Sequence, residues 1–425
     1  MRPDQSRRNH TNEIHSAACA QDPGVDRRLF LSAATAAAAT AMLPNFAQAA
    51  TEKKWRVGVI GHTGQGNFGH GLDTVWLSLP ETEIVGLADA NDKGRAACNR
   101  KIGMVPDFAD YREMLKQTQP NIVAVSPRHI HEHHDMILAA IDAGAQGIYC
   151  EKPFCRTPQE ADEIVAACEK SGTRLGLAHR NRYHPAVPVA MAALKEGVIG
   201  DLLEIRCRGK EDHRGGAQDI WVLGTHLLDL AHYYGGNATA CSAVLLNGLR
   251  PVTKEDVVEG GEGLGPLAGD RLFARYEMES GIPMYFDSIK NQGVKEANFG
   301  VQLIGNKGFM DFRIDIEPLA HLVPGNPFLP TDKPRPWIPI SSAGIGKPEP
   351  IDNLGKLVSK HILATRDLLA AVSEDRPPLS SAEDGRAIVE MIHAAFASHV
   401  KNGERVQLPL ESRTHPLADL AAQPS

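Results

Sequence analysis

The sequence predicts an α/β protein: an N-terminal doubly wound domain on a parallel sheet, then an α+β domain with a largely antiparallel, open sheet. Three observations predict it. Between Trp55 and His179, short apolar runs alternate with helical patterns, as in a parallel sheet covered on both faces. A cluster of glycines follows the first of those runs, where such folds turn tightly beside a ligand. After Tyr183 strands follow one another with few helices between them, which suits an antiparallel sheet with one free face.

In order, the strands of the first domain read 56–61, 83–89, 121–126, 147–151 and 174–179, and the helices 69–79, 93–101, 111–116, 131–143 and 158–171. In the second domain "LLEIRCRG" sets Leu203, Ile205 and Cys207 against Glu204, Arg206 and Arg208, the period of a half-buried strand. Similar strands fit 240–246, 271–278, 282–289 and 300–305, with a helix at 219–234. Residues 314–350 carry many prolines and read as loop, and amphipathic helices at 354–372 and 382–400 close the chain. The boundaries are residues 50–180 for the first domain and 181–410 for the second, with a tail at 411–425.

Residues 1–49 have a different logic. Arg27 and Arg28 precede Leu-Phe-Leu and an alanine-rich apolar run, and Ala47-Gln-Ala49 is a small-x-small cleavage pattern. That reads as a twin-arginine export signal, too short and alanine-rich for a spanning helix. The expectation is a periplasmic protein whose mature chain begins near Ala50. With 425 residues there is room for two or three domains. The formal net charge of -7 gives no general attraction to nucleic acid, and no later segment approaches the length of a membrane span. Cys19 would leave with the signal. Cys98, Cys150, Cys155, Cys168, Cys207 and Cys241 match no zinc spacing, and a chain of this size needs no disulfide framework.

The glycine cluster "RVGVIGHTGQGNFGHG" places Gly61, Gly64, Gly66 and Gly69 between a strand and an expected helix. A Rossmann domain needs glycines here, because the backbone must approach a pyrophosphate closely and present N–H groups to it. Asp89 ends the next strand, placed to bind both ribose hydroxyls. A 2′-phosphate would face that carboxylate, so NAD is expected as cofactor over NADP.

"GIYCEKPFC" puts Glu151 and Lys152 at the end of a later strand of the same sheet, ahead of Pro153. Ligands in such sheets lie beyond the strand C-termini, so Lys152 is a candidate acid–base group. A charge surfacing at a strand end is the plainer alternative. "SPRHIHEHH" follows a middle strand and "LGTHLLDL" lies in the second half. Taken with the glycine turn and Glu151-Lys152-Pro153, these motifs resemble the glucose–fructose oxidoreductase/inositol dehydrogenase (Gfo/Idh/MocA) family over roughly 55–400.

The resemblance implies that Lys152 reaches the substrate hydroxyl and the nicotinamide ribose, and that Glu151 holds the nicotinamide end. It makes His226 a catalytic acid/base, with Gly224 and Asp229 in place, and gives Ser126 and His131 cofactor-side roles. Many members carry an aspartate four residues before that histidine, where this chain has Val222. Asp219, seven residues before His226, would share its helical face, about 10 Å along the axis. It either replaces the missing carboxylate through the substrate or caps the helix.

The cluster His129, His131, His133 and His134 also invites a metal reading, but no further ligand set accompanies it, so none is expected. Arg180, Arg182 and Tyr183 are candidates to line the cleft or to make salt bridges. Lys210, Asp212, His213 and Arg214 suit either a polyhydroxylated ligand or a solvated turn. The leading expectation is an NAD(P)-dependent oxidoreductase acting on a sugar, cyclitol or glycoside hydroxyl with a tightly held cofactor. The alternatives are glycoside hydrolysis through transient oxidation, as in exported N-acetylgalactosaminidases of the family, and a non-catalytic sugar-binding relative. The resemblance also implies a homodimer or homotetramer formed through the open sheet face.

Overall fold

The computed structural model describes residues 54–296 and 298–422. Its first sheet contains β1 (Trp55–Ile60), β2 (Thr82–Ala88), β3 (Asp107–Phe108), β4 (Ile122–Val125), β5 (Gly147–Cys150) and β6 (Arg174–Leu177). The order is β3-β2-β1-β4-β5-β6, parallel throughout. Strand order therefore reverses between β1 and β4, the switch point at which sheets of this kind bind ligands. β3 was not expected, because two residues are too few to show a period. The expected export signal, residues 1–49, lies outside the described residues.

The crossover helices α1 (Asp92–Ile102), α2 (Tyr111–Thr118), α3 (His133–Asp142) and α4 (Pro158–Ser171) fall where expected. Their ends are encoded locally: Asn91, Asp110 and Thr157 cap α1, α2 and α4 with side-chain oxygens, and Gly172 closes α4 at φ 75°. The helix expected at 69–79 is absent. Gly64, Gly66, Asn67, Gly69 and Gly71 all have positive φ, so turns run to a short 3-10 segment at Val75–Ser78. A right-handed helix cannot begin among left-handed residues.

The second domain follows as α5 (Ala186–Lys195), β7 (Leu202–Arg208), α6 (Ala217–Val222), α7 (Gly224–Gly235), β8 (Ala238–Asn247), β9 (Arg250–Pro251), β10 (Val258–Glu259) and β11 (Pro266–Leu267). It continues with β12 (Arg271–Met278), β13 (Pro283–Ile289), β14 (Gly300–Gly305), β15 (Gly308–Arg313), β16 (Ala320–Pro324), β17 (Ile338–Ser341) and β18 (Gly344–Ile345). Last come α8 (Leu354–Ser359), α9 (Ile362–Glu374), α10 (Ala382–Val400), β19 (Val406–Gln407) and α11 (Pro416–Ala421). The large sheet runs β18-β17-β16-β15-β14-β7-β13-β12-β8-β19, with β9 beside β8. Only β7 and β13 pair in parallel within it, among the described residues.

Ile205, Cys207, Tyr276, Phe286, Leu303 and Phe312 are buried on its inner face. Leu203, expected beside Ile205 and Cys207, is 41 % exposed. A register shift in the β14 ladder pairs Ile304 with Glu204 and Gly305 with Leu202, skipping Leu203. The stretch expected as loop, 314–350, contains β16, β17 and β18, two of them too short for alternation to register among the prolines.

The expected helix at 354–372 is two helices, broken at His361 with φ 60°. α9 does not stay with the second domain. Leu368 and Val372 pack beside Gly147 of β5, and Ile362, Leu368 and Leu369 share a core with Val57, Leu72 and Trp76. With no long helix after β1, this returning segment covers that face of the first sheet. All six cysteines among the described residues are buried and unpaired. Among those residues no helix is long and apolar enough to cross a membrane.

Candidate active site

The glycine turn is set by close approach. A Cβ on Gly61 would stand 2.0 Å from the Phe68 ring, one on Gly66 2.3 Å from the Arg128 nitrogen, and one on Gly69 2.7 Å from the Ser126 carbonyl oxygen. A Cβ on Gly64 would meet nothing within 4 Å, so that side of the turn has room for a ligand. These residues fit a dinucleotide, with turn N–H groups rather than a long helix's N-terminus as the anion-binding element. Two side-chain bonds tie the turn to the segment after β4: His129 to Gln65 at 2.7 Å and His62 to Glu132 at 2.6 Å. Ser126 is fully buried beneath it.

Asp89 stands at the end of β2, as the sequence places it, but its carboxylate is already engaged. It accepts from the backbone N–H of Thr63 at 3.1 Å, the Thr63 hydroxyl at 2.7 Å and the Asn91 N–H at 2.8 Å. Asp89 therefore also organises the turn, and Thr63 covers it.

Glu151 and Lys152 follow β5 and are buried. Glu151 pairs with His70 of the glycine turn and accepts from the Lys152 backbone N–H at 3.1 Å. Burial acts to raise its carboxyl, but His70 and Lys152 outweigh that and hold it at about 2. Burial lowers the Lys152 amine below the ordinary lysine range, partly offset by Glu151 and Glu262. Its Nζ donates to the Val222 carbonyl at 2.8 Å. His133, also buried, bridges the Pro127 carbonyl at 2.7 Å and the Pro153 and Phe154 carbonyls at 3.0 Å, fixing the turn that carries Lys152.

His226 sits in the first turn of α7, 6 % exposed, its Nδ1 buried without a hydrogen-bond partner. Burial, then the charge of Lys152, pushes its pKa well below the ordinary histidine value, so it stands as a neutral imidazole. The His179 ring meets it edge-on at 5.7 Å. The sequence reading missed the network behind His179, although this residue closes the strand β6 where ligands gather. Ser380 donates to Asp229 at 3.0 Å, so its oxygen takes the Nδ1–H of His179 at 3.0 Å. His179 Nε2 is left to accept from the Thr225 hydroxyl at 2.8 Å.

The continuous helix expected at 219–234 is broken at Leu223, with φ −120° and ψ −42°, which corrects the place of Asp219. Its carboxylate accepts from Ser288 Oγ at 2.6 Å and the Glu211 N–H at 2.9 Å, not from His226. Burial raises its pKa, with those two bonds pulling the other way. A Cβ on Gly209 would be 2.3 Å from its Oδ2.

His131 lies on a 3-10 turn at Ile130–Glu132, beside the glycine turn. His134 goes to Asp135 and Glu163, and among the described residues no group of three or more His, Cys, Asp or Glu is placed to hold a metal ion. Arg180 pairs with Asp315 at 2.7 Å, Arg182 lies 3.4 Å over the Tyr233 ring, and Tyr183 is core. Lys210 is 5.8 Å from the Phe299 ring centroid, and Phe299 in turn lies 6.5 Å from His226. Arg214 pairs with Asp212 at 2.6 Å, and His213 is exposed. A cleft of about 850 Å³ lined by His232, Asp384, Glu390 and Arg413 shares no residue with this site.

Comparison with known proteins shows what the first domain is similar to. Residues 55–179 match the model of the oxidoreductase family with NAD-binding Rossmann fold, GFO_IDH_MocA. The match runs from β1 to just past β6, the whole of the first sheet.

Among curated relatives, D-apiose dehydrogenase of Paraburkholderia graminis is 29% identical over 217 residues, 49% of this chain and 56% of the relative. Levoglucosan dehydrogenase of Pseudarthrobacter phenanthrenivorans is 25% identical over 263 residues, 56% of this chain and 66% of the relative. The matches thus span less than two thirds of these relatives. The fold extends further: a levoglucosan dehydrogenase solved with NADH and levoglucosan superposes with a TM-score of 0.66 at 22% identity, covering 84% of this chain and all of that one.

Proposed function

We propose that this chain is an NAD(H)-dependent oxidoreductase acting at a hydroxyl-bearing carbon of a sugar, cyclitol or glycoside. The observation that carries the reading is that Lys152, buried just after β5, donates to the Val222 carbonyl at 2.8 Å, four residues ahead of buried His226 on α7. The relatives named as sugar dehydrogenases support it. A bound nicotinamide supplies the hydride acceptor. Lys152, with an amine lowered by burial, donates to or accepts from the substrate hydroxyl, and neutral His226 takes or returns the proton through its unpartnered Nδ1. Glu151 and His70 hold the lysine turn against the glycine turn.

NAD is the proposed dinucleotide, because a 2′-phosphate near Asp89 would meet a carboxylate. Arg27 and Arg28 ahead of an alanine-rich apolar run support export through the twin-arginine route, and the free face of the large sheet supports a homo-oligomer. The test is to denature the purified protein, identify any released nucleotide, and screen sugars, cyclitols and aryl glycosides for NADH formation. Release of NAD and turnover of a polyol are expected. A protein that neither holds nor reduces NAD would refute the reading.

A further inference from the structure

The hairpin of β10 and β11 carries a tip, residues 260–265, that touches both sides of the site. Gly260, Gly261, Gly263 and Gly265 surround Glu262 and Leu264. The tip is closed by the Gly260 N–H on the Gly265 carbonyl at 2.8 Å and anchored by fully buried Leu264. On the nucleotide-binding side, a Cβ on Gly263 would be 2.3 Å from Nδ1 of His131. That nitrogen is buried without a hydrogen-bond partner, so the tip seats on the ring itself. On the other side, a Cβ on Gly261 would be 3.3 Å from Nε2 of Gln218, on α6.

Glu262 lies at φ 60° and ψ 24°, a left-handed conformation that costs a side chain with a Cβ. Four of its neighbours in the tip are glycines, yet this position is not. Strain kept at one residue among glycines marks a side chain whose direction is used. Glu262 is half-buried, and its charge acts on Lys152, His129 and Arg214, each from a different segment.

We propose that residues 260–265 form a latch across the cleft, seated on His131 and Gln218, and that Glu262 is presented from it to accept hydrogen bonds from substrate hydroxyls beside Lys152. This deepens the oxidoreductase reading and rests on it for the role of Glu262. The ligand class is a polyol with neighbouring hydroxyls, because a carboxylate offers two acceptor oxygens and no donor.

Two measurements test it on the full chain. Glu262→Gln keeps the shape and removes the charge: KM for the polyol should rise roughly tenfold, kcat should move less than about threefold, and NADH affinity should hold. Glu262→Gly, which relieves the left-handed residue, should raise KM equally without lowering Tm. A wild-type KM in both variants, or a KM rise that follows a fall in Tm, overturns the role of Glu262.

Amide exchange over 258–267 should slow when NADH is added to the wild type; unchanged exchange overturns the latch whether or not any sugar is turned over. A wild type that binds NADH and turns over no polyol overturns the oxidoreductase reading and the role of Glu262 with it, while the exchange measurement still decides the latch.

Discussion

Lys152 donates from Nζ to the backbone carbonyl of Val222 at 2.8 Å. In an unbroken helix that carbonyl would accept the N–H of His226, four residues on. The break at Leu223 redirects the His226 N–H to the Leu223 carbonyl at 3.1 Å, leaving the Val222 oxygen for the lysine. The position where the resembled family commonly carries an aspartate thus still contributes an oxygen acceptor, from the main chain. One local break holds the ammonium and sets the ring of His226 at the start of α7.

Lys152→Met should reduce turnover by roughly 10²–10⁴-fold, the scale of a positioned acid–base group. NADH should still bind, because the glycine turn is untouched. His226→Ala should give a similar defect, and the double variant should lose far less than the product of the two, since both act on one proton path. Steady-state kinetics with NADH binding by fluorescence reads all three, and full activity in Lys152→Met would remove the lysine from the chemistry.

Asp89→Ala should weaken NADH binding by more than about tenfold and narrow its advantage over NADPH, because ribose contacts and the Thr63 anchor are lost together. Thr63→Val separates the two contributions. It removes the 2.7 Å hydroxyl bond to Asp89 while keeping the carboxylate, so it should leave the NADH/NADPH ratio close to wild type. Dissociation constants for both nucleotides across the two variants decide the matter.

Acid should destabilise the protein before its carboxylates titrate. Burial, only partly offset by Glu151 and by Asp419 respectively, holds His361 and His415 at about 4. Unfolded histidine titrates near 6.5. Between these values the unfolded chain binds more protons, so stability is full above about 6.5, falls as pH drops towards 4, and levels off below. Each group can contribute on the order of 3 kcal/mol over that window. Urea unfolding across the range should show the slope, and His415→Gln should flatten it. An unchanged slope in that variant would show that His415 does not contribute.

Replacing Arg27 and Arg28 together by lysine should leave the protein in the cytoplasm with its leader uncleaved. Fractionation followed by N-terminal sequencing reads the outcome. Normal export of the double variant would rule out the twin-arginine route.

Much of the architecture is legible in the sequence because it is local. Alternation in "LLEIRCRG", continuous apolar runs at 122–125 and 147–150, and caps at Asn91 and Thr157 each act within a few residues, where side-chain period and backbone hydrogen bonding decide. The Glu151-Lys152-Pro153 element is legible for the same reason: it sits at a strand end, and parallel sheets gather ligands there.

Tertiary packing decided what lies across the chain. Ser380 meets His179 over a separation of 201 residues and Asp229 over 151, and α9 returns to cover β5. The break at Leu223 turns Asp219 towards Ser288, and Gly263 comes down on His131. None of these has a sequence period. Each exists because a buried polar group or an uncovered apolar face must find its partner wherever the fold brings one.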